Sequence, residues 1–394
     1  MNPSTQKHRS QRMQAVIGGA LLVFTTLAAQ TKDVVGYYPS WSWKARKNFA
    51  SVARIPFDRV TTINYAFFFP RADGTIAGRD TAGDRICLDG SGGTSPRLVD
   101  ECHRHGVRVL LSIGGWEDSD NFPAVAASSA TRIQFAASCL HVLRRYAFDG
   151  IDIDWEYPCF VDHKGAPADR DHATLLFKTL RDSLDAESAV RHEQLSLTAA
   201  VPAMANQAAG FDLPHLVALL DRFNVMTYDF NGGWDPRSGH NAPLFAPDSV
   251  DTLRNVDAAF RLYAGTWKLP PAKINLGVPF YGHVFAQCTA LGAPHAGEDH
   301  VHFPPEGAFD YLLKEQLDRC TKYWDAKAGV PYYVQSEWKD LISCEDERSV
   351  ALKAEYVKKQ GAAGLIIWEI TGDLLPDGSA PLLDAITKTF RNTN

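Results

Sequence analysis

The sequence of 394 residues predicts an α/β protein folded as a closed (β/α)8, or TIM, barrel. Short apolar, β-branched or aromatic runs alternate with helical patterns along most of the chain, which favours a parallel sheet wrapped by helices. There are eight such runs, the number that closes a barrel. No glycine-rich phosphate loop follows the first run, as an open dinucleotide-binding sheet would have.

Taken in order, the predicted strands are Val34–Tyr37, Thr61–Phe68, Arg108–Ser112, Gly150–Glu156, Gln194–Val201, Arg222–Tyr228, Lys273–Pro279 and Gly364–Trp368. Apolar residues spaced by three and four predict helices over 131–146, 171–184, 249–263 and 349–360. Ser349 reads as the N-cap of the last helix and Gly361 as its stop. About 85 residues separate the last two strands. Much of that stretch is rich in aromatics and prolines, which predicts a small inserted domain over 284–340 that walls a cleft. The barrel would then be 30–283 and 341–394.

Residues 1–29 read as a signal peptide. Lys7, Arg9 and Arg12 precede an apolar run from Ala15 to Ala29, with small Thr26 and Ala28 near its end. That run is short of the ~20 apolar residues a permanent span needs. The expected destination is extracellular or periplasmic, with no membrane attachment after cleavage. A chain 45% hydrophobic and 22% charged is not disordered, and a net charge of −6 offers no basic surface for nucleic acid. A monomer is expected. Export permits disulfides, but seven cysteines leave at least one thiol over. Cys87 with Cys102, or two of Cys288, Cys320 and Cys344, are possible pairs. Cys139, on an apolar helix face, reads as a buried thiol.

The richest segment is Asp149-Gly-Ile-Asp152-Ile-Asp154-Trp-Glu156-Tyr-Pro. Strand side chains alternate faces, so Asp152, Asp154 and Glu156 share one face and Ile151, Ile153 and Trp155 the other. In a barrel the acids point inward, toward the C-terminal mouth where catalytic groups gather. Stacked carboxylates in a low dielectric cannot all ionise, so at least one keeps its proton and can serve as a general acid. A calcium loop is excluded by the Ile and Trp spacers. His295, Glu298, Asp299, His300 and His302 form a second polar cluster, but their spacing matches no strong ligand pattern. A solvated loop is expected there, with no metal and no cofactor.

Asp149-x-x-Asp152-x-Asp154-x-Glu156 resembles the signature of glycoside hydrolase family 18, the chitinases. Ile63-Asn-Tyr-Ala-Phe67, Ser112-Ile-Gly114-Gly115-Trp116, Met226-Thr-Tyr228-Asp229-Phe230 with Gly232-Gly-Trp234, Gly277-Val-Pro-Phe-Tyr281-Gly and Gly364-Leu-Ile-Ile-Trp368-Glu resemble further family motifs, in family order. Together they span about residues 33 to 385. The resemblance implies the barrel, an α+β insertion in the seventh crossover, and hydrolysis of β-1,4-linked N-acetylglucosamine in chitin and its oligomers.

It also implies roles. Glu156 would protonate the glycosidic oxygen while the substrate's own 2-acetamido carbonyl attacks the anomeric carbon, forming an oxazolinium ion; retention of configuration follows. Asp154 would orient the acetamido group, Asp152 would share a proton with Asp154, and Tyr228 would donate to the acetamido carbonyl. Trp368 would floor the central subsite, with Trp116, Trp234, Tyr281, Asp229, Met226, Phe67 and Tyr37 as further substrate contacts. Asp149, Gly114 and Gly115 would shape the motifs. Trp155, facing the helices, reads as core. The family's usual Tyr-Gly-Arg is Tyr281-Gly282-His283 here, which replaces a guanidinium fork by an imidazole. Two other functions share the acidic motif or the barrel: an endo-β-N-acetylglucosaminidase acting on glycoproteins, and a noncatalytic chitin lectin, which the presence of Glu156 disfavours.

Overall fold

A computed structural model describes residues 32–45, 50–91, 96–247, 252–299 and 317–392, with Met1 and Phe309 as isolated positions. The expected signal peptide, His300 and His302 lie outside the described residues, as does part of 284–340. Residues Lys32–Asn394 form one unit.

All eight predicted strands are present: β1 Asp33–Pro39, β2 Thr62–Pro70, β4 Arg108–Gly114, β5 Gly150–Asp154, β6 Ser196–Pro202, β7 Arg222–Met226, β8 Ile274–Pro279 and β13 Gly364–Trp368. They pair in the order β1-β13-β8-β7-β6-β5-β4-β2, every neighbour parallel, and β1 pairs with β2 to close the ring. A short β3, Ile76–Gly78, adds antiparallel to β2. Between β8 and β13 the chain builds a second, antiparallel sheet from β9 His283–Phe285, β10 Thr321–Asp325, β11 Val330–Gln335 and β12 Asp340–Ser343, in the order β10-β11-β12-β9. Val284, Tyr333 and Ile342 form a small apolar cluster on it.

The strands are apolar on the face that meets the helices. Ile151, Ile153 and Trp155 join one large core with Phe135 and Leu143 of α1 (Ser129–Tyr146) and Leu176 and Leu180 of α2 (Asp169–Arg191). Trp155 is fully buried and stacks on Phe122 with ring centroids 5.2 Å apart, which is the core role expected of it. Cys139 is buried on α1 as predicted. Cys87 and Cys102 do not pair: both are buried thiols, and Cys87 lies 3.8 Å from the Tyr38 hydroxyl.

Helix starts depart from expectation where a side chain caps further along or further back. The 249–263 pattern becomes Val256–Phe260 followed by a π-type turn over Arg261–Thr266, because Asn255 caps it by accepting from Ala258 N at 2.8 Å. The last crossover helix, α3 Glu347–Gln360, is capped by Asp346 rather than Ser349. Asp346 accepts from Ser349 N at 2.7 Å while Ser349 Oγ accepts from Asp346 N at 2.9 Å, a reciprocal capping box. Gly361 ends the helix at φ +68°, as predicted. Asp346→Ala is expected to destabilise the fold by about 1–2 kcal/mol, read as a lowered thermal midpoint, with Ser349→Ala adding less than its separate effect because the two act as one cap.

Candidate active site

Register places the acids. Asp152 on β5 stands between Ser112 on β4 and Thr198 on β6, all facing inward. Its carboxylate accepts hydrogen bonds from Tyr37 Oη at 2.9 Å, Ser112 Oγ at 2.8 Å, Thr198 Oγ1 at 2.5 Å and Asn224 Nδ2 at 3.2 Å. Asn224 is held in turn by Asn275 Nδ2 at 3.0 Å. Burial pushes the Asp152 pKa up, while these four donors pull it back. Four donors and no acceptor suit the ionised form.

Asp154, two residues nearer the mouth, is also buried but has no such cradle. Its Oδ1 has no hydrogen-bond partner among the described residues. Burial, then the charges of Glu156 and Asp152, raise its pKa well above the carboxylate range. Of the two, Asp154 is therefore the harder to ionise, while the four donors around Asp152 favour its charged form.

Glu156 does not ride on the strand as predicted. β5 ends at Asp154, whose carbonyl accepts from Gly115 N at 2.8 Å. The next turn is tied down by side chains: Glu156 N donates to Ser119 Oγ at 2.8 Å, and His163 Nδ1 meets Glu156 O at 2.5 Å. The acid still faces the same space. Burial raises its pKa to about 7, with the Asp229 charge adding to the rise and a hydrogen bond from Tyr157 opposing it. A carboxyl that stays protonated to neutrality is fit to give a proton away.

Gly114 and Gly115 let these segments meet. A Cβ on Gly114, at φ +117°, would lie 2.1 Å from Asp154 O; one on Gly115, at φ +91°, would lie 2.8 Å from the Phe67 ring. Only glycine serves at either position.

The aromatic residues divide into two groups. Trp368 stacks on Phe67 at 5.6 Å and leans on Tyr37 at 5.7 Å, with Met226 and Tyr228 packed against the same cluster. Tyr37 is 2% exposed and gives its hydroxyl to Asp152. It packs against Trp368 and leaves almost no surface for the substrate contact expected of it. Burial, then the charges of Asp154, Asp229, Glu156 and Asp152, raise the Tyr228 pKa, so its hydroxyl keeps its proton near the acids. Trp116 and Trp234 are 49% and 63% exposed, far more than core residues of their size, and offer free faces to a ligand. Trp116 is propped edge-on by His163, Phe160 and Tyr157, and Trp234 by His283.

Asp229, exposed, is fixed by its own backbone N–H to Asn241 Oδ1 at 2.7 Å and by Tyr281 Oη at 2.6 Å and His283 Nε2 at 2.8 Å, both on Oδ1. Asp149 does not join the site. It lies before β5, at the opposite end of the barrel, where it accepts from Val109 N at 2.7 Å and from His103 at 3.0 Å. His295 bonds the carbonyl of Asp235 at 2.8 Å rather than a ligand. Among the described residues no cluster of His, Cys, Asp or Glu is placed to hold a metal ion.

Sequence reasoning missed Ser112, Thr198 and Asn224 as the Asp152 cradle, although polar residues at inward positions of apolar strands signal it. Ser119 and His163 carried no such signal, because only the folded turn brings them to Glu156.

Buried carboxyls on and just beyond an inner strand of a (β/α)8 barrel, one of them with its pKa raised to about 7, are the groups a glycoside hydrolase needs. The sequence pattern of Glycosyl hydrolases family 18 matches residues 33–373. The chain belongs to that family. It is similar to Chitinase A1 of Niallia circulans, 34% identical over 90% of this chain and spanning 58% of that protein's length. Chitinase 1 of Aphanocladium album is 32% identical over 84% of this chain and 80% of its own. The solved structure of the Ostrinia furnacalis Group IV chitinase in complex with allosamidin superposes with a TM-score of 0.80 at 30% identity, covering 91% of this chain and 98% of that one.

Proposed function

We propose that the chain is a chitinase, cleaving β-1,4 N-acetylglucosamine linkages in chitin and its oligomers with retention of configuration through a substrate-formed oxazolinium ion. Asp154 carries this reading: it is buried between Asp152 and Glu156, burial and their charges push its pKa well up, and its Oδ1 has no hydrogen-bond partner among the described residues. A carboxyl that is neutral at rest can pass its proton to the neighbouring Asp152 carboxylate, turn to an acetamido N–H and face the positive charge developing on the oxazolinium ring as an anion. Two-carboxylate retaining enzymes instead place a charged nucleophile at the anomeric carbon. Glu156 protonates the leaving oxygen, Tyr228 donates to the acetamido carbonyl, and Glu156 then takes the proton of the incoming water. Trp368 floors the sugar being cleaved, and Trp116 and Trp234 hold neighbouring units by ring stacking. The names of its relatives and the allosamidin complex of a structural neighbour support the substrate class. We read residues 1–29 as a secretion signal and 284–340 as an insertion forming a cleft wall.

The test is the product profile from a chitin hexamer with anomer analysis, alongside colloidal chitin and a high-mannose glycopeptide. Fresh β-anomers and sugar released from colloidal chitin are expected. Inverted anomers would refute the substrate-assisted course. Release from the glycopeptide alone would identify an endo-β-N-acetylglucosaminidase, and binding of chitin without cleavage a lectin.

A further inference from the structure

His283 opens β9, the first strand of the second sheet, and is mostly buried. Its Nε2 lies within hydrogen-bond reach of Asp229 Oδ1, at 2.8 Å, and its Nδ1 within reach of Glu298 Oε1. Both ring nitrogens thus face carboxylates. A neutral imidazole has one N–H and one lone pair, so it could serve only one of these partners and would repel the other. The imidazolium serves both.

We infer that His283 is a positioning residue that acts as a permanent cation at working pH, clamped by Glu298 so that it holds Asp229 against the sugar beside the cleaved bond. The inference rests on the chitinase reading and assigns to Glu298 a part that no motif suggests. The titratable groups facing the imidazole are Asp229, Glu298 and the Tyr281 hydroxyl; the Tyr281 and Trp234 rings pack edge-on at 5.8 Å and 5.2 Å. Burial opposes charging, but the hydrogen bonds and charges of the two carboxylates win and raise the His283 pKa to about 9.

The clamp reaches the chemistry through Asp229. That carboxylate raises the Glu156 pKa, so its place and its neutralisation govern both sugar binding and the field at the acid. Above pH about 9 the imidazole loses its proton, one of its two bonds fails, and the clamp on Asp229 loosens, leaving Asn241 and Tyr281 to hold it. Productive turnover then needs two protonated groups, Glu156 and His283. The alkaline limb of log kcat/KM for a chitin tetramer should fall with slope one above pH 7, steepen toward two just above pH about 9, and return to slope one once the roughly 10- to 100-fold contribution of His283 is lost.

The experiment compares His283→Arg, His283→Gln and Glu298→Gln with the unaltered protein, each first tested for allosamidin binding at pH 6. Arg keeps the charge, so its alkaline limb should stay at slope one throughout. Gln at either position should raise KM for the tetramer roughly 10- to 100-fold, the range for loss of a hydrogen bond to a charged group, with a smaller change in kcat. Titration of 15N-histidine-labelled protein, with His283→Arg identifying the signal, should give a midpoint near 9 that falls in Glu298→Gln. Unchanged KM and alkaline limbs in an active protein, or a His283 midpoint near that of an exposed histidine, would overturn the clamp and leave the chitinase reading intact. A parent protein that neither cleaves chitin oligomers nor binds allosamidin would remove both.

Discussion

Glu156→Gln is expected to lower kcat on a chitin tetramer by about 10³- to 10⁴-fold, at the upper end of what a positioned general acid contributes. Gln fills the same volume and keeps the backbone bonds to Ser119 and His163, so the turn stays in place. What disappears is the proton that burial keeps on this carboxyl up to a pKa of about 7. On the proposed reading Trp368, Trp116 and Trp234 hold the sugar rather than the acid, so allosamidin affinity should change by less than tenfold. The parent enzyme should lose kcat/KM as pH rises through about 7, where Glu156 ionises. The residual activity of the variant should lack that limb. A variant retaining more than a tenth of parental kcat would remove Glu156 from the acid role.

Asp154→Asn separates ground state from transition state. Asp154 is neutral at rest, and Asn resembles a protonated carboxyl in size and polarity, so folding and KM should change little. During the proposed reaction, however, the carboxyl hands its proton to Asp152 and accepts from the acetamido N–H as an anion opposite a developing cation, which Asn cannot do. A loss of about 10²- to 10³-fold in kcat is expected, comparable with removing one preorganised electrostatic partner. Asp152→Asn should behave differently. The Asn amide N–H₂ would take the place of one oxygen and confront two of the four donors, either Tyr37 and Ser112 or Thr198 and Asn224, so part of its effect should appear as lowered thermal stability. Equal kcat losses with unchanged stability in both variants would contradict the division of charge between the two carboxylates.

The barrel was legible because its signal is local and repeated: each strand is a short apolar run whose boundaries move by only a few residues. The acids on β5 were legible for the same reason, since alternation alone puts Asp152 and Asp154 on one face. Legibility failed where position depends on partners distant in sequence. The end of β5 at Asp154 is set by Gly115, Ser119 and His163, none of which a strand pattern anticipates. Ser349 was taken for a cap because it is a capping residue type; it serves the cap formed by Asp346, and only geometry tells the two roles apart. Tyr37 illustrates a third limit. An inward-facing tyrosine on a barrel strand can touch either a ligand or a buried carboxylate, and its depth decides.

The tether on Glu156 has a consequence for how this site can change. The acid hangs from two side chains beyond the last ladder bond of β5, whereas the barrel's cohesion lies in the strands and the layer of Ile151, Ile153 and Trp155 beneath the helices. Fold stability and the reach of the proton donor are therefore recorded in different residues. Variation at positions 119 and 163 can shift the donor by fractions of an ångström along the scissile bond while the scaffold remains untouched, leaving selection a fine adjustment that needs no compensating repair in the core.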